Sequence, residues 1–600
     1  MKSTMREFKR GGPGASELNA PRGGIRALWK LMLPYILAYK GRLLLIIALV
    51  ILSNLILLCI PTFTGRVVDA IGLGAGQVDF PAIYRLGGII LGLSLAGWLL
   101  EVARNTLMTR VTQRIIFELR QTVFGRLLHL PLSFLESNTK GDLISRISMD
   151  IDQISETITS DIITTLTGVV TISGALVMMV RLSPPLSCIF LLIIPLIVLT
   201  ARIISRRSRR LFRQKKIAFA LLSAHAEEMI TAQKTVKLFG LEGYNLETYE
   251  GLSAAYEKAG QEAEFSSSQM MPSMNAINNL SFLLISIAGC LLFLKGSISI
   301  GSISSFIIYS KKFTSPITEI ANLYGTFQSA LSSCDRINYL LSQPEEVDLG
   351  QKTPDRLAGR VEFNDVSFSY TPGTPTLEHI SFRAEPGEKI AIVGETGSGK
   401  TTLMNLLLRF YDYDSGSIRI DGADIREMPL RYLRRSFALV LQENFVFEMS
   451  IAENIDYAAH SGDSGRIRQA AREVEMDGYI ASLPLGYETP LNGDSDKLSQ
   501  GQRQLLTIAR ALMVRPQLFI FDEATSSVDT RTEQRVKEVM DRVMEGKTSF
   551  IIAHRLSTIL SADRILVIQN GRLIEQGTHA ELLEKHGVYY EMYQSQFASI

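Results

Sequence analysis

Five stretches of this chain, 43–60, 86–103, 162–180, 186–204 and 280–294, are runs of apolar residues almost without charge. A helix needs roughly 20 mostly apolar residues to cross the hydrocarbon core of a bilayer. Inside a membrane each such helix satisfies its own backbone hydrogen bonds, which a loop or an open sheet edge cannot do. The runs therefore predict spanning helices. A sixth run, 298–323, is interrupted by Lys311 and Lys312, and hydropathy alone misses it. Counting it gives an even number of spans, which returns the chain to the side where it began.

Charge in the connections sets the orientation, because cytoplasmic loops carry an excess of Lys and Arg. Between the second and third runs lie Arg104, Arg110, Arg114, Arg120, Arg126, Lys140 and Arg146. Between the fourth and fifth lie Arg206, Arg207, Arg209, Arg210, Arg213, Lys215 and Lys216. Both stretches are expected in the cytoplasm, as helical extensions of the spans: Ile115, Leu119, Val123 and Leu127 recur at helical spacing. Short transverse helices are expected at 132–138, between Pro131 and Gly141, and at 225–234.

Residues 1–24 are rich in Gly, Pro and basic residues and read as a flexible cytoplasmic tail. The first apolar run follows this polar lead with no small-residue cleavage pattern, so it reads as a retained span. The resulting division is a tail (1–24), a transmembrane domain (25–340), a linker with Pro344 and Pro354 (341–358) and a soluble α/β domain (359–600). The mean hydropathy of +0.16 is high for a soluble chain. A formal net charge of +2 gives no argument for a nucleic-acid partner. Cys59, Cys188, Cys290 and Cys334 show no metal-ligand spacing and are expected to be small buried hydrophobes.

Lys311 and Lys312 carry two readings. Ionisable residues inside a span face a protein interior or a water-filled path, which makes them a polar substrate or gating position. Alternatively the helix starts earlier and both snorkel to the cytoplasmic edge. Pro316 is expected to kink this helix, and Asn278 and Asn279 are further polar candidates.

The soluble part carries the chemistry. A short apolar strand, 389–393, runs into Gly394-Glu395-Thr396-Gly397-Ser398-Gly399-Lys400-Thr401, followed by Thr402 and a helix. This fits G-x-x-x-x-G-K-[ST] in its strand-to-helix context. The glycines let backbone N–H groups approach phosphates at a helix N-terminus. Lys400 would reach the β- and γ-phosphates of ATP, and the Thr401 hydroxyl would hold Mg²⁺. A second apolar run, 518–521, ends in Asp522, placed to hold Mg²⁺, and Glu523, placed as general base for the attacking water. A third strand, 549–553, ends in His554, read as a γ-phosphate contact. A hairpin over 565–577, turning at Asn570-Gly571, closes the domain.

Just upstream of Asp522, Leu498-Ser499-Gln500-Gly501-Gln502 opens a helix, with Ser499 a natural N-cap. Together with the P-loop and Asp522-Glu523, it resembles the signature sequence of ATP-binding cassette (ABC) ATPases. The resemblance covers nearly the whole chain. Gln442 looks like the Q-loop residue that touches Mg²⁺, Tyr370 like the aromatic that stacks on adenine, Asp529 of Ser527-Val528-Asp529 like the D-loop acid, and His554 like the switch histidine. The resemblance implies an ABC exporter half-transporter: a six-span α-helical domain fused to an α/β ABC ATPase domain, multi-pass in the cell membrane, in a bacterium the inner one. The transverse helices are then coupling helices. ATP and Mg²⁺ are the implied cofactors, and the cargo is an amphipathic or hydrophobic small molecule (drug, lipid or peptide), which the Thr-rich third span also suits.

In this family each ATP lies between the P-loop of one domain and the signature of another, so a second half-transporter is required. Gln500 departs from the commoner Leu-Ser-Gly-Gly-Gln, Ser527-Val528 from Ala-Leu, and the stretch 492–497, with its one glycine at Gly493, lacks the usual Gly shortly before the signature. That combination is similar to the catalytic-Glu-bearing subunit of heterodimeric bacterial exporters and favours a paralogous partner over a homodimer. A lipid flippase or an importer on the same fold stays open, as does, against the apolar runs, a soluble ABC ATPase acting on nucleic acid.

Overall fold

The computed structural model describes residues 25–72, 78–354, 356–441, 444–492, 498–522, 530–553 and 556–596. The chain divides into two units: residues up to His129 together with Asn138–Gln343, and Leu130–Ser137 together with Pro344 onward.

The first unit is helical: α1 (Ile25–Ala38), α2 (Lys40–Ile71) and α3 (Phe80–Leu128) precede the short α4 (Leu132–Ser137), which belongs to the second unit. It resumes with α5 (Lys140–Leu182), α6 (Pro184–Thr231), α7 (Gln233–Phe239), α8 (Glu242–Leu294) and α9 (Ile300–Ser342). Their starts follow ordinary capping chemistry. The Asp79 carboxylate accepts from the Ala82 N–H at 3.0 Å before α3, and Ser183 precedes two prolines at the head of α6. The helices α2, α3, α5, α6 and α8 are long and apolar enough to cross a membrane. The sixth, α9, runs unbroken through Lys311, Lys312 and Pro316. It begins at Ile300, capped by Ser299, so the reading in which it starts earlier does not hold. Pro316 packs against α5, where a Cβ on Gly168 would lie 3.1 Å from the proline Cβ.

The seam between α2 and α9 is close and polar. A Cβ on Gly65 would come within 2.3 Å of the Gly301 carbonyl oxygen, and one on Gly301 within 2.0 Å of the Gly65 oxygen, so neither position admits a side chain. At that end Asp69 accepts from the Gly301 N–H at 2.7 Å and the Ser299 hydroxyl at 2.8 Å. Farther along, Pro61 has no N–H to give the Leu57 carbonyl four residues back. The Lys312 ammonium donates to that carbonyl at 3.2 Å. Ser305 donates to the Pro61 carbonyl at 2.8 Å, and the Tyr309 hydroxyl to that of Leu58.

Helix α5 contains two π-helical turns, Arg146–Asp150 and Thr157–Asp161. The acid closing each is buried and faces α9. Asp150 accepts from Ser333 at 2.9 Å and Arg336 Nε at 2.8 Å; Asp161 accepts from Thr326 at 2.9 Å. Thr171, higher on α5, donates to Asn54 at 3.0 Å.

Two further expectations are corrected, and one helix is added. The second transverse helix is Gln233–Phe239, not 225–234: α6 continues to Thr231, and the chain breaks at Ala232 and again at Gly240, whose φ of 63° favours glycine. Of the cysteines only Cys334 is buried, while Cys59, Cys188 and Cys290 are exposed. Those three lie on spanning helices, whose outer faces are apolar without being covered by protein. Helix α1 was not anticipated; it is short, and among its described residues Leu31 and Met32 are buried.

The second unit holds α4 and two sheets. Strands β1 (Val361–Phe368), β2 (Leu377–Ala384), β4 (Ser415–Ile420) and β5 (Ala423–Asp424) form an antiparallel sheet in the order β2-β1-β4-β5. Strands β3 (Lys389–Val393), β6 (Phe437–Val440), β7 (Leu518–Asp522), β8 (Thr548–Ile552), β9 (Arg564–Gln569) and β10 (Arg572–Gly577) form the other, ordered β10-β9-β3-β8-β7-β6. From β9 to β6 every pairing is parallel, and β10 closes the edge as a hairpin with β9. The strands β3, β7 and β8 are almost wholly buried, as continuous apolar runs in a covered parallel sheet should be. One core lies between the two sheets and includes α10 (Lys400–Leu407). A second packs α11 (Gln500–Leu512) and its neighbouring helices against the other face of β6 and β7.

Candidate functional site

In a parallel sheet with helices on its faces, ligands bind beyond the carboxyl ends of the strands. Strands β3, β8, β7 and β6 are consecutive neighbours, and in sequence they are followed by Gly394, His554, Glu523 and Gln442. Of these, Gln442, Glu523 and His554 lie outside the described residues, as does Asp529. The P-loop, Asp522, Tyr370 and the signature lie within them.

The P-loop geometry follows from its glycines. Gly397 and Gly399 have φ of 84° and 107°, and a Cβ on Gly399 would lie 2.6 Å from the Leu377 side chain. At Gly394 a Cβ would meet the Ile568 carbonyl oxygen at 2.2 Å. Sequence reading assigned the Asn570-Gly571 hairpin only to closing the domain. It also braces the P-loop: the Gly571 N–H donates to the Ser398 carbonyl at 3.2 Å, and its own carbonyl accepts from Glu378 at 2.8 Å. No feature of the motif itself pointed to that contact.

Lys400 is buried and curls back over the loop, donating from Nζ to the carbonyls of Gly394 and Glu395, each at 2.8 Å. Burial lowers its pKa, and the nearby charge of Asp522 offsets part of that effect. Asp522 ends β7, half-buried. The Ser398 hydroxyl is buried without a hydrogen-bond partner among the described residues. A polar atom in that condition costs free energy until something pairs with it. A cradle closed to side chains, a buried ammonium whose hydrogen-bond partners among the described residues are neutral carbonyls, and an orphaned hydroxyl together fit a polyphosphate. Thr401 is exposed at the first turn of α10, open to a metal ion; Thr402 is buried and accepts from the Tyr370 hydroxyl at 3.2 Å.

Tyr370 is half exposed beside this turn and packs edge-on against Phe368 and Tyr411, with ring centroids 4.9 and 5.0 Å apart. Tyr411, which sequence reading missed, donates its hydroxyl to Glu136 of α4. Burial first, and then that bond, push its pKa up.

Ser499 caps α11 in a reciprocal box: its hydroxyl accepts from the Gln502 N–H at 3.3 Å, and Gln502 Oε1 accepts from the Ser499 N–H at 2.9 Å. Gln500 is exposed on the first turn and Gly501 is buried beneath it. The P-loop helix and the signature helix thus pack into different cores of the same unit.

A nucleotide-binding fold of the P-loop class on a chain with long apolar helices defines a membrane-bound ATPase. Comparison with known proteins gives its family. Residues 43–317 match the family model of the ABC transporter transmembrane region and residues 377–526 that of the ABC transporter. A fatty acid ABC transporter ATP-binding/permease protein of Mycobacterium tuberculosis is 42% identical over 86% of this chain and 82% of its own length. An ATP-dependent lipid A-core flippase of Saccharophagus degradans is 35% identical over 82% of this chain and 84% of its own. A solved bacterial Atm1-family ABC exporter with ATP bound superposes with a TM-score of 0.76 at 29% identity, covering 93% of this chain and 98% of that one. The chain belongs to the ABC transporter family. It is a half-transporter of the exporter type: a multi-pass membrane protein with a cytoplasmic ATPase domain that couples ATP to movement across the membrane.

Proposed function

We propose that this chain exports an acyl-chain amphiphile, a fatty acid or a lipid, as one of two half-transporters that share their ATP sites. The observation that carries the ATP part is Lys400, buried over the Gly394 and Glu395 carbonyls beside Asp522. On nucleotide binding its ammonium would exchange those carbonyls for β- and γ-phosphate oxygens. Ser398 and the loop N–H groups would hold the phosphates, Thr401, Asp522 and Gln442 the Mg²⁺, and Tyr370 the adenine. The ion's role is to neutralise charge developing between the phosphates. Glu523 would orient the attacking water, with His554 at the γ-phosphate and Asp529 in the loop between them.

The lipid part rests on the relatives, one named for fatty acid and one for lipid A-core. The need for a second protomer is supported by the separate packing of α10 and α11 and by the bare apolar side chains of α7. Gln500 in the signature favours a paralogous partner, so that the site completed by Lys400, Asp522 and Glu523 is the stronger of the two. The test is reconstitution in vesicles, with and without candidate partners, scoring ATP-dependent movement of a fluorescent acyl lipid. Movement that needs ATP and stops in Lys400→Ala supports the reading; movement that survives Lys400→Ala overturns it.

A further inference from the structure

The outer end of α9 is fixed where Ser299 and Gly301 meet Asp69. Counting from Ile300, Lys311 lies ~16 Å along the helix, about half the ~30 Å of a bilayer's hydrocarbon core. From Lys311 onward its face of the helix is polar: Lys311, Ser315 and Glu319 are exposed, at spacings that place them above one another, while toward Ile300 the partly exposed Ile307 and Ile308 separate them from Ser304. The opposite face buries Phe306, Tyr309 and Phe313. A lysine turned to lipid at mid-depth costs at least ~3 kcal/mol, so this stripe belongs against a water-filled path.

Lys311 and Lys312 have no carboxylate partner among the described residues. Lys312 is held only by the neutral Leu57 carbonyl that Pro61 leaves unpaired. Glu319 accepts from Ser315 at 3.2 Å and lies ~12 Å farther along the helix from Lys311, too far to neutralise it. Two adjacent cations at mid-depth, without counter-charges of their own, call for an anion from outside the chain.

We infer that Lys311 and Lys312 form the headgroup subsite of the export path and select acidic amphiphiles, those ending in a carboxylate or a phosphate, over neutral ones of the same chain length. This deepens the export reading and rests on it. Lys311 makes the direct ion pair. Lys312 can leave the Leu57 carbonyl when an anion arrives, because its present bond is to a neutral acceptor.

The experiment uses the full chain with its partner in phosphatidylcholine nanodiscs and reads the ATPase activity as amphiphile is titrated in. Oleate and dioleoyl phosphatidic acid are compared with oleyl alcohol and dioleoylglycerol. The acidic compounds are expected to stimulate at about tenfold lower concentration than the neutral ones. Lys311→Gln should abolish that preference and Lys311→Arg should keep it. Lys312→Arg, which keeps a donor for the Leu57 carbonyl, should keep it too, while Lys312→Gln should weaken it. Response to oleate alone identifies a free carboxylate as the ligand, and to phosphatidic acid alone a lipid phosphate; both support the subsite. Equal response to acidic and neutral compounds, or a preference unchanged by Lys311→Gln, overturns it. If neutral amphiphiles then still stimulate, the export reading stands without the subsite; if no amphiphile does, the export reading itself fails.

Discussion

The two transverse helices, α4 and α7, are alike in size and in their place between long helices, with six and seven residues. Their surroundings are opposite. In α4, Phe134 is buried and Glu136 accepts from Tyr411, a residue that also touches Tyr370 beside the P-loop. In α7 no residue is buried, and Leu238 and Phe239 are 78% and 68% exposed. Each short helix has an apolar face that favours burial. This chain covers the first and leaves the second bare. The first transverse helix is therefore tied to the chain's own ATPase unit, and the second carries apolar side chains that its own unit does not cover, as the proposed second half-transporter would need.

Four tests break or sharpen that contrast. Lys400→Ala sets the floor: ATP hydrolysis by the assembled transporter is expected to fall at least ~100-fold, a loss typical of removing a charge-stabilising group, with both transverse helices intact. The double change Leu238→Asp and Phe239→Asp should lower vesicle transport by more than about tenfold, equivalent to ~1.4 kcal/mol of lost docking, while the isolated chain still binds ATP. Transport at the original rate would show that α7 needs no cover. Phe134→Ala should lower the thermal stability of the ATPase unit by ~2 kcal/mol, the scale for burying one such side chain, whereas Phe239→Ala should leave the isolated chain's unfolding unmoved. Equal shifts would erase the difference between the helices. The smallest effect is expected for Tyr411→Phe. Losing one hydroxyl bond costs ~1 kcal/mol, read as more ATP hydrolysed per substrate moved. Because the folded pKa of Tyr411 is raised, its hydroxyl keeps its proton at neutral pH. The link's contribution is full below the unfolded pKa of ~10 and fades only as pH climbs beyond it.

Much of this was legible in the sequence, and the failures have physical causes. Spans were readable because a lipid-facing helix must be apolar nearly all round, so composition alone marks it. The P-loop, the strand ending at Asp522 and the Ser499 cap were readable because each rests on local chemistry over a few residues. The second transverse helix was misplaced because the break at Ala232 carries neither Gly nor Pro; only Gly240, at the far end, is a punctuating residue. The cysteines were assigned to a protein interior because burial scales assume water outside, and a span's outer face breaks that assumption. The brace from Gly571 to Ser398 and the link from Tyr411 to Glu136 join residues 173 and 275 positions apart. No local pattern encodes either contact.

The two π turns of α5 have a consequence for how the chain tolerates change in length. Each fits one more residue into a turn than an α-helix does, so each resets the angular phase of everything beyond it by roughly 100°. Asp150 and Asp161 face α9 only with that phase in place. Deleting one residue from Thr157–Asp161 should therefore restore an ordinary α turn and leave the span above it, Gly168 and Thr171 included, facing the same neighbours. In this stretch the helix absorbs a one-residue deletion that would turn the span by about 100° in its ordinary α turns.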